Sequence, residues 1–166
     1  ALLPWPPVAP GSVPTGQTFL SAAIQALDPF SERMIVVVGK NEANLAPVIY
    51  ANGASLVRNP NPERGQFSSL QVGLREVLND GRDSAIVTLV DRPPASATTL
   101  TALFSAFAEA PSEVWAVVPQ YKGKHGHPFL VAREMIEAFL KAPPTANARE
   151  IEHQNPRHVS YVAVDD

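Results

Sequence analysis

The sequence predicts an α/β sandwich built on a largely parallel sheet. Three observations point there. Short continuous apolar runs read as strands covered on both faces, segments of helical periodicity alternate with them, and turn residues mark the junctions. The chain has 166 residues, of which 45% are hydrophobic and 17% charged. That suits one compact domain with a sizeable core.

Taken in order, residues 8–17 read as an extended loop, because Pro10 and Pro14, with Pro6-Pro7 before them, remove donors and disfavour helix. Thr18 is placed to cap a helix whose Phe19, Leu20, Ile24 and Leu27 share one face, and Asp28-Pro29 stops it. The run 34–38, closed by Gly39, is a buried parallel strand. A weaker helix over 44–50 leads to a strand at 54–57. The turn-rich phrase Asn59-Pro60-Asn61-Pro62-Glu63-Arg64-Gly65 follows, and Ser68 or Ser69 is expected to cap the next helix. Leu70, Leu74, Val77 and Leu78 give that helix its apolar stripe, and Asn79-Asp80-Gly81 ends it.

Residues 85–90 form the strongest strand and deliver Asp91 at its carboxyl end, before the extended Pro93-Pro94. A helix from about Thr98 buries Leu100, Leu103, Phe104 and Phe107. Then come a strand at 114–118, a polar loop at 120–126, a short strand at 129–131, a helix at 133–141 and a closing strand at 159–164. No fixed-period repeat is visible.

Composition removes several function classes. There is no Cys, so disulfides, thiolate zinc sites and cysteine nucleophiles are excluded. Thirteen Lys plus Arg stand against sixteen Asp plus Glu, a net charge of −3 with no basic tract, which argues against a general nucleic-acid binder. No apolar run reaches the roughly 20 residues of a membrane span, and the start lacks the pattern of a secretory signal. The expectation is a soluble, cytoplasmic protein with neither nucleic acid nor membrane as partner. Proline is frequent, 17 in all, and the chain begins at Ala1 with no initiator Met.

Ligands of open α/β sheets sit outside the carboxyl ends of the strands. That directs attention to Gly39-Lys40, the segment from Asn59, Asp91, and the residues after Val118. Asp91 can hold Mg²⁺, which takes one or two protein carboxylates and completes its shell with waters and phosphates. It reads equally as a strand-end carboxylate capping a turn. Gly65 with Ser68-Ser69 at a helix start can offer backbone N–H groups to an anion, or can be a cap with no ligand. His125 and His127 lie two apart, with no third convergent ligand to favour a metal site, so a loop histidine bonding substrate or backbone is the better reading. Lys122 and Lys124 can meet phosphates, although exposed loop lysines are usually solvated. Arg149 is ambiguous in the same way. No Gly-x-Ser-x-Gly elbow, Gly-x-Gly-x-x-Gly or P-loop occurs.

These edge segments resemble the MobA-like nucleotidyltransferase family, which includes molybdenum cofactor cytidylyl- and guanylyltransferases. The matching phrases are Ala1-Leu2-Leu3-Pro4, the run 34–39, Asn59-Pro60 with Gly65, Ser68-Ser69-Leu70 and Gly73-Leu74, then Leu89-Val90-Asp91-Arg92-Pro93, Val117-Val118-Pro119, Gly126-His127-Pro128, Ala148-Arg149 and 162–166. They span essentially the whole chain. The resemblance implies a three-layer α/β/α sandwich of the nucleotide-diphospho-sugar-transferase type. It further implies Mg²⁺-dependent transfer of a nucleoside monophosphate from CTP or GTP to a phosphorylated acceptor such as molybdopterin, with release of pyrophosphate. Asp91 matches the family's metal-binding Asp. Asn59, Gly65, Ser68 and Ser69 match the loop facing nucleotide and acceptor, and His127 matches an acceptor-side element. Arg149 joins them as a substrate-binding candidate.

The departures are as specific. Residues 1–166 read as a single domain without the family's first strand and its Gly-rich phosphate loop, and without its C-terminal Asp-Thr-Pro element. The 166 residues alone are therefore expected to show little turnover. The alternative is a non-catalytic nucleotide-binding or structural module of the same fold, and the residues encoded upstream of Ala1 discriminate the two.

Overall fold

A computed structural model describes residues 1–165. Asp166, the last residue of the 162–166 phrase, lies outside the described residues. The first helix, α1 (Phe19–Leu27), starts where the sequence places it: Thr18 Oγ1 accepts from the Ser21 amide, and Ser21 Oγ accepts from the Thr18 amide. That reciprocal cap satisfies two amides that no helical carbonyl reaches. Strand β1 (Ile35–Val38) then pairs in parallel with β2 (Ser55–Arg58), across helix α2 (Glu42–Ala51).

Helix α3 (Gln66–Asn79) corrects one expectation. It begins at Gln66 behind Gly65, so Ser68 and Ser69 sit inside its first turn and cap nothing. Gly65 adopts φ 94°, a backbone state costly for any side chain, and this sets the helix entry. Farther along, a Cβ on Gly73 would meet Val37 Cγ2 at 3.0 Å. Glycine there lets α3 lie close on β1.

The second sheet holds β3 (Ser84–Val87), β4 (Ala116–Tyr121), β5 (Lys124–His125), β6 (Phe129–Ala132) and β7 (Val159–Ala163). Its path is β3-β6-β4-β5, with β7 parallel to β4. The polar loop expected at 120–126 is instead the β4–β5 hairpin, with Gln120 opposite His125 and Tyr121 opposite Lys124. Strand β3 ends at Val87, so Asp91 lies in the turn beyond the ladder. Helices α4 (Ala97–Glu109), α5 (Arg133–Lys141) and α6 (Ala148–Gln154) complete the set.

Side chains alternate across the sheet with the period of two that strands impose. Ala116, Val118, Phe129 and Val131 pack with Phe67, Leu74, Met135, Ile136, Phe139 and Ile151, on the face of α3, α5 and α6. Val117 and Leu130 point oppositely, onto Leu103 of α4. Val38 joins Leu20, Ile24, Leu45 and Ile49 of α1 and α2. Helices therefore cover both faces, and the expected α/β/α layering is the architecture.

Strand direction follows from the ladders and one ion pair. Because β6 opposes both β3 and β4, those two run the same way, and β7 follows β4. Arg82, before β3, pairs with Glu32, before β1, so the two strands start from the same edge. Their far ends also coincide: Val90, after β3, packs in the cluster that holds Val38. Thus β1, β2, β3, β4 and β7 point one way, with β5 and β6 reversed. Among the described residues no helix is long and apolar enough to cross a membrane.

Candidate functional site

A single direction for most strands gathers their carboxyl ends along one edge. Gly39-Lys40 follows β1, Asn59 follows β2, and Asp91 follows β3. The reversed β6 begins at this edge, which brings His127 to it. Between the facing sides of β1 and β3 runs a cleft of about 860 Å³. Its walls include residues 34–37 and 84–91, with Leu70, Leu74 and Val77 of α3 below and Leu20, Ile24 and Phe104 above. Ser69 and Asp91 both line it.

The loop 59–65 is organised by Asn59, which is 2% exposed. Its Nδ2 donates to Ser68 Oγ at 2.9 Å and Ser69 Oγ at 3.0 Å, while its Oδ1 accepts from the Asn61 amide at 2.9 Å. Its backbone amide also reaches the Val38 carbonyl at 2.8 Å. Ser68 Oγ donates to the Gly65 carbonyl at 2.7 Å. Asn59 and Ser68 are therefore inward-facing pins of the loop. Ser69 is half-buried and lines the cleft, and Gly65 is exposed at a helix start that no side chain caps. The loop also crosses the end of β1, since a Cβ on Gly39 would meet Pro62 at 3.0 Å.

Asp91 is exposed at the mouth of the cleft, and it makes no hydrogen bond or ion pair among the described residues. Its electrostatic neighbour is His127. Burial and the Arg92 charge hold the His127 imidazole below its ordinary pKa, while Asp91 pulls the other way. The balance favours a neutral ring at neutral pH, one able to donate from one nitrogen and accept at the other. Among the described residues no three His, Asp or Glu side chains converge to form a metal cage. A lone free carboxylate does fit Mg²⁺ or a similar hard cation, which retains waters and substrate oxygens.

Arg149 stands elsewhere. On α6 it lies beside Glu152, a buried carboxylate whose pKa desolvation raises and Arg149 partly lowers. Tyr161 completes that group. Among the described residues no hydrogen bond or ion pair joins Arg149 to Asp91 or His127. The structure thus brings together Asp91, His127 and Ser69 along one edge, with Asn59, Gly65 and Ser68 shaping the loop. Arg92, Glu152 and Tyr161 were not singled out by sequence. Arg92 could have been, as the cation beside the singled-out carboxylate, whereas nothing local marks a carboxylate as buried.

The MobA-like NTP transferase domain model matches residues 12–159. Over 101 residues the chain is 29% identical to a protein of Rhodopirellula baltica described as a "probable molybdenum cofactor guanylyltransferase", covering 61% of this chain and 48% of that protein. The chain therefore spans about half the length of that curated relative. The crystal structure of Rv0371c from Mycobacterium tuberculosis superposes with a TM-score of 0.76 at 21% identity, over 91% of this chain and 76% of that one. A structure of Rv0371c in complex with manganese gives 0.74 at 19%, over 92% and 78%. Molybdopterin-guanine dinucleotide biosynthesis protein A of Archaeoglobus fulgidus gives 0.63 at 15%, over 90% and 71%.

Proposed function

The chain belongs to the MobA-like NTP transferase family, and on that premise we propose that its protein is a metal-dependent nucleotidyltransferase. The reaction moves the nucleoside monophosphate of CTP or GTP onto a phosphorylated acceptor such as molybdopterin. An acceptor phosphate oxygen forms a bond to the α-phosphorus, and the bond from that phosphorus to the leaving pyrophosphate oxygen breaks. Such chemistry asks the protein for positioning and charge neutralisation, with no protein nucleophile.

The observation that supports this reading is the Asp91 carboxylate, free and exposed at the cleft mouth beside His127. Asp91 would hold Mg²⁺ or Mn²⁺, and the bound ion would offset charge on the phosphates. Asn59 fixes the loop through Ser68 and Ser69, so Gly65 and the open first turn of α3 face outward to meet nucleotide oxygens. His127, neutral, orients the acceptor by hydrogen bonding, while Arg149, on α6 beside Glu152 and Tyr161, takes no part at this edge.

The domain reading is also a proposal. Two strand edges running the same way on either side of an apolar cleft suit one further strand, joined to this chain, that would make a single sheet of the two. Pyrophosphate release by the full-length protein, with Mg²⁺, CTP or GTP and molybdopterin, tests the function. Turnover that needs both metal and Asp91 supports it. Nucleotide binding with no turnover on either base leaves the non-catalytic module instead.

A further inference from the structure

The two lysines at 122 and 124 acquire a definite setting in the structure. They stand on the β4–β5 hairpin, whose two-residue turn places Lys122 at φ 48° and Gly123 at φ 76°. Both central residues are left-handed, as a type I′ turn demands, and Asn, Asp or Gly fill the first position most easily. A lysine there carries strain, and retained strain of this kind clusters where a ligand is held.

The alternation of strand side chains sorts the hairpin into two faces. Tyr121 and Lys124 are cross-strand partners and share a face. Lys122 Nζ lies 4.9 Å from the centre of the exposed Tyr121 ring, and Lys124 is that tyrosine's cross-strand partner. Among the described residues neither lysine has a carboxylate within ion-pair distance. Two lysines on one short hairpin, neither paired with a carboxylate, leave a local positive charge that a bound anion would offset. The opposite face is the anchor. Gln120 and His125 pair there, with Nε2 atoms 3.2 Å apart, and the His125 ring stacks on Tyr161 at 4.0 Å and 18°. The Gly126 amide donates to the Pro119 carbonyl at 3.2 Å, which ties the hairpin base to the start of the segment carrying His127.

We propose that the β4–β5 hairpin is a phosphate-recognition arm, in which Lys122 and Lys124 bind the phosphate monoester of the acceptor across the Tyr121 ring. His125 and Tyr161 are positioning residues that hold the arm in place. The phosphate could instead belong to the nucleotide. The acceptor is favoured because the hairpin stands on the β4 side of Asp91, whereas the loop 59–65 stands on the β2 side, beyond the cleft. The proposal rests on the transferase reading for which phosphate is bound, and the lysines' role is tested without turnover.

The experiment is calorimetry on the full-length protein without nucleotide, using molybdopterin and a pterin lacking the phosphate. The double variant Lys122→Gln, Lys124→Gln should weaken molybdopterin binding by on the order of tenfold or more. It should leave the phosphate-free pterin and CTP or GTP unchanged. Equal weakening of nucleotide binding, or equal weakening for both pterins, would overturn the arm, as would no change for molybdopterin. Tyr161→Ala should raise the acceptor KM and speed amide exchange in the hairpin, with both restored in Tyr161→Phe; exchange unaltered in the Ala variant counts against the anchor. Failure of the transferase reading looks different: lysine-dependent molybdopterin binding with no pyrophosphate release on any nucleotide.

Discussion

The two sheets, which make up two halves of the strand layer, bury their strands very differently. In the β4 half, Ala116, Val117 and Val118, with Phe129, Leu130 and Val131, are each no more than 3% exposed. In the β1–β2 half only Val38 is buried to that degree, and no residue of β2 is buried at all. Sequence does not foretell this, because Ile35-Val36-Val37-Val38 is as apolar as Ala116-Val117-Val118. Neighbours make the difference. β4 has partners on both sides, whereas β1 pairs only with β2 and turns its other edge to the cleft. The β4 half is the stable platform, and the β1–β2 half, carrying the loop 59–65, is the part whose packing depends on what lies in the cleft.

The sharpest test of that contrast is a matched pair of truncations. Phe139 is fully buried and meets Phe67 and Phe129 edge-on, so Phe139→Ala should destabilise by about 3–5 kcal/mol in urea titration. Val36, half-buried in β1, should cost about 1 kcal/mol on conversion to Ala. Comparable losses from the two would erase the distinction. On activity, Asp91→Asn should lower kcat of the full-length protein by roughly 10²–10³ while leaving the melting temperature unchanged, since the wild-type carboxylate makes no hydrogen bond or ion pair among the described residues. A lower melting temperature would recast Asp91 as a structural turn residue.

Asn59 couples the halves, through the end of β1 on one side and α3 on the other. Asn59→Ala leaves the Asn61 amide without its side-chain acceptor and frees the Ser68 and Ser69 hydroxyls, at a cost of roughly 1–3 kcal/mol. The nucleotide KM should rise more than the acceptor KM. Equal rises would mean that the loop serves both substrates.

Much of this was legible in the sequence, and the exceptions have physical causes. Apolar runs and helical stripes located the elements because burial sets both periods, and Thr18 marked its helix because its cap is local chemistry. Ser68 and Ser69 misled for a related reason. Serine before an apolar stripe resembles a cap, but the Gly65 backbone starts the helix earlier and Asn59, distant in sequence, claims both hydroxyls. The hairpin at 121–125 was hidden because its turn uses Lys122 where Asn or Gly would have announced it. Within the candidate site, Asp91 was singled out by its position after an apolar strand. Arg149, ambiguous from the residues alone, was grouped with it through the family resemblance, and α6 carries it to Glu152 and Tyr161.

That last group supplies the smallest expected effect, one that separates Arg149 from the Asp91 edge. Burial raises the Glu152 carboxyl above its ordinary pKa, and Arg149 draws it partly back. In the window between the unfolded and the raised folded values, the folded state binds more protons than the unfolded one, so stability falls as pH rises through it. Above the window the ionised carboxylate is a standing cost. Glu152→Gln should therefore raise the melting temperature at pH 7, and its advantage should vanish once the pH lies below the unfolded value of about 4.3. Arg149→Ala should act oppositely at pH 7, lowering stability by removing the charge that offsets burial. Both variants should leave the His127 imidazole titration where it is, because its shift comes from burial, Arg92 and Asp91. A His127 titration that moves with Arg149 would join the two clusters electrostatically and return Arg149 to the Asp91 side of the molecule.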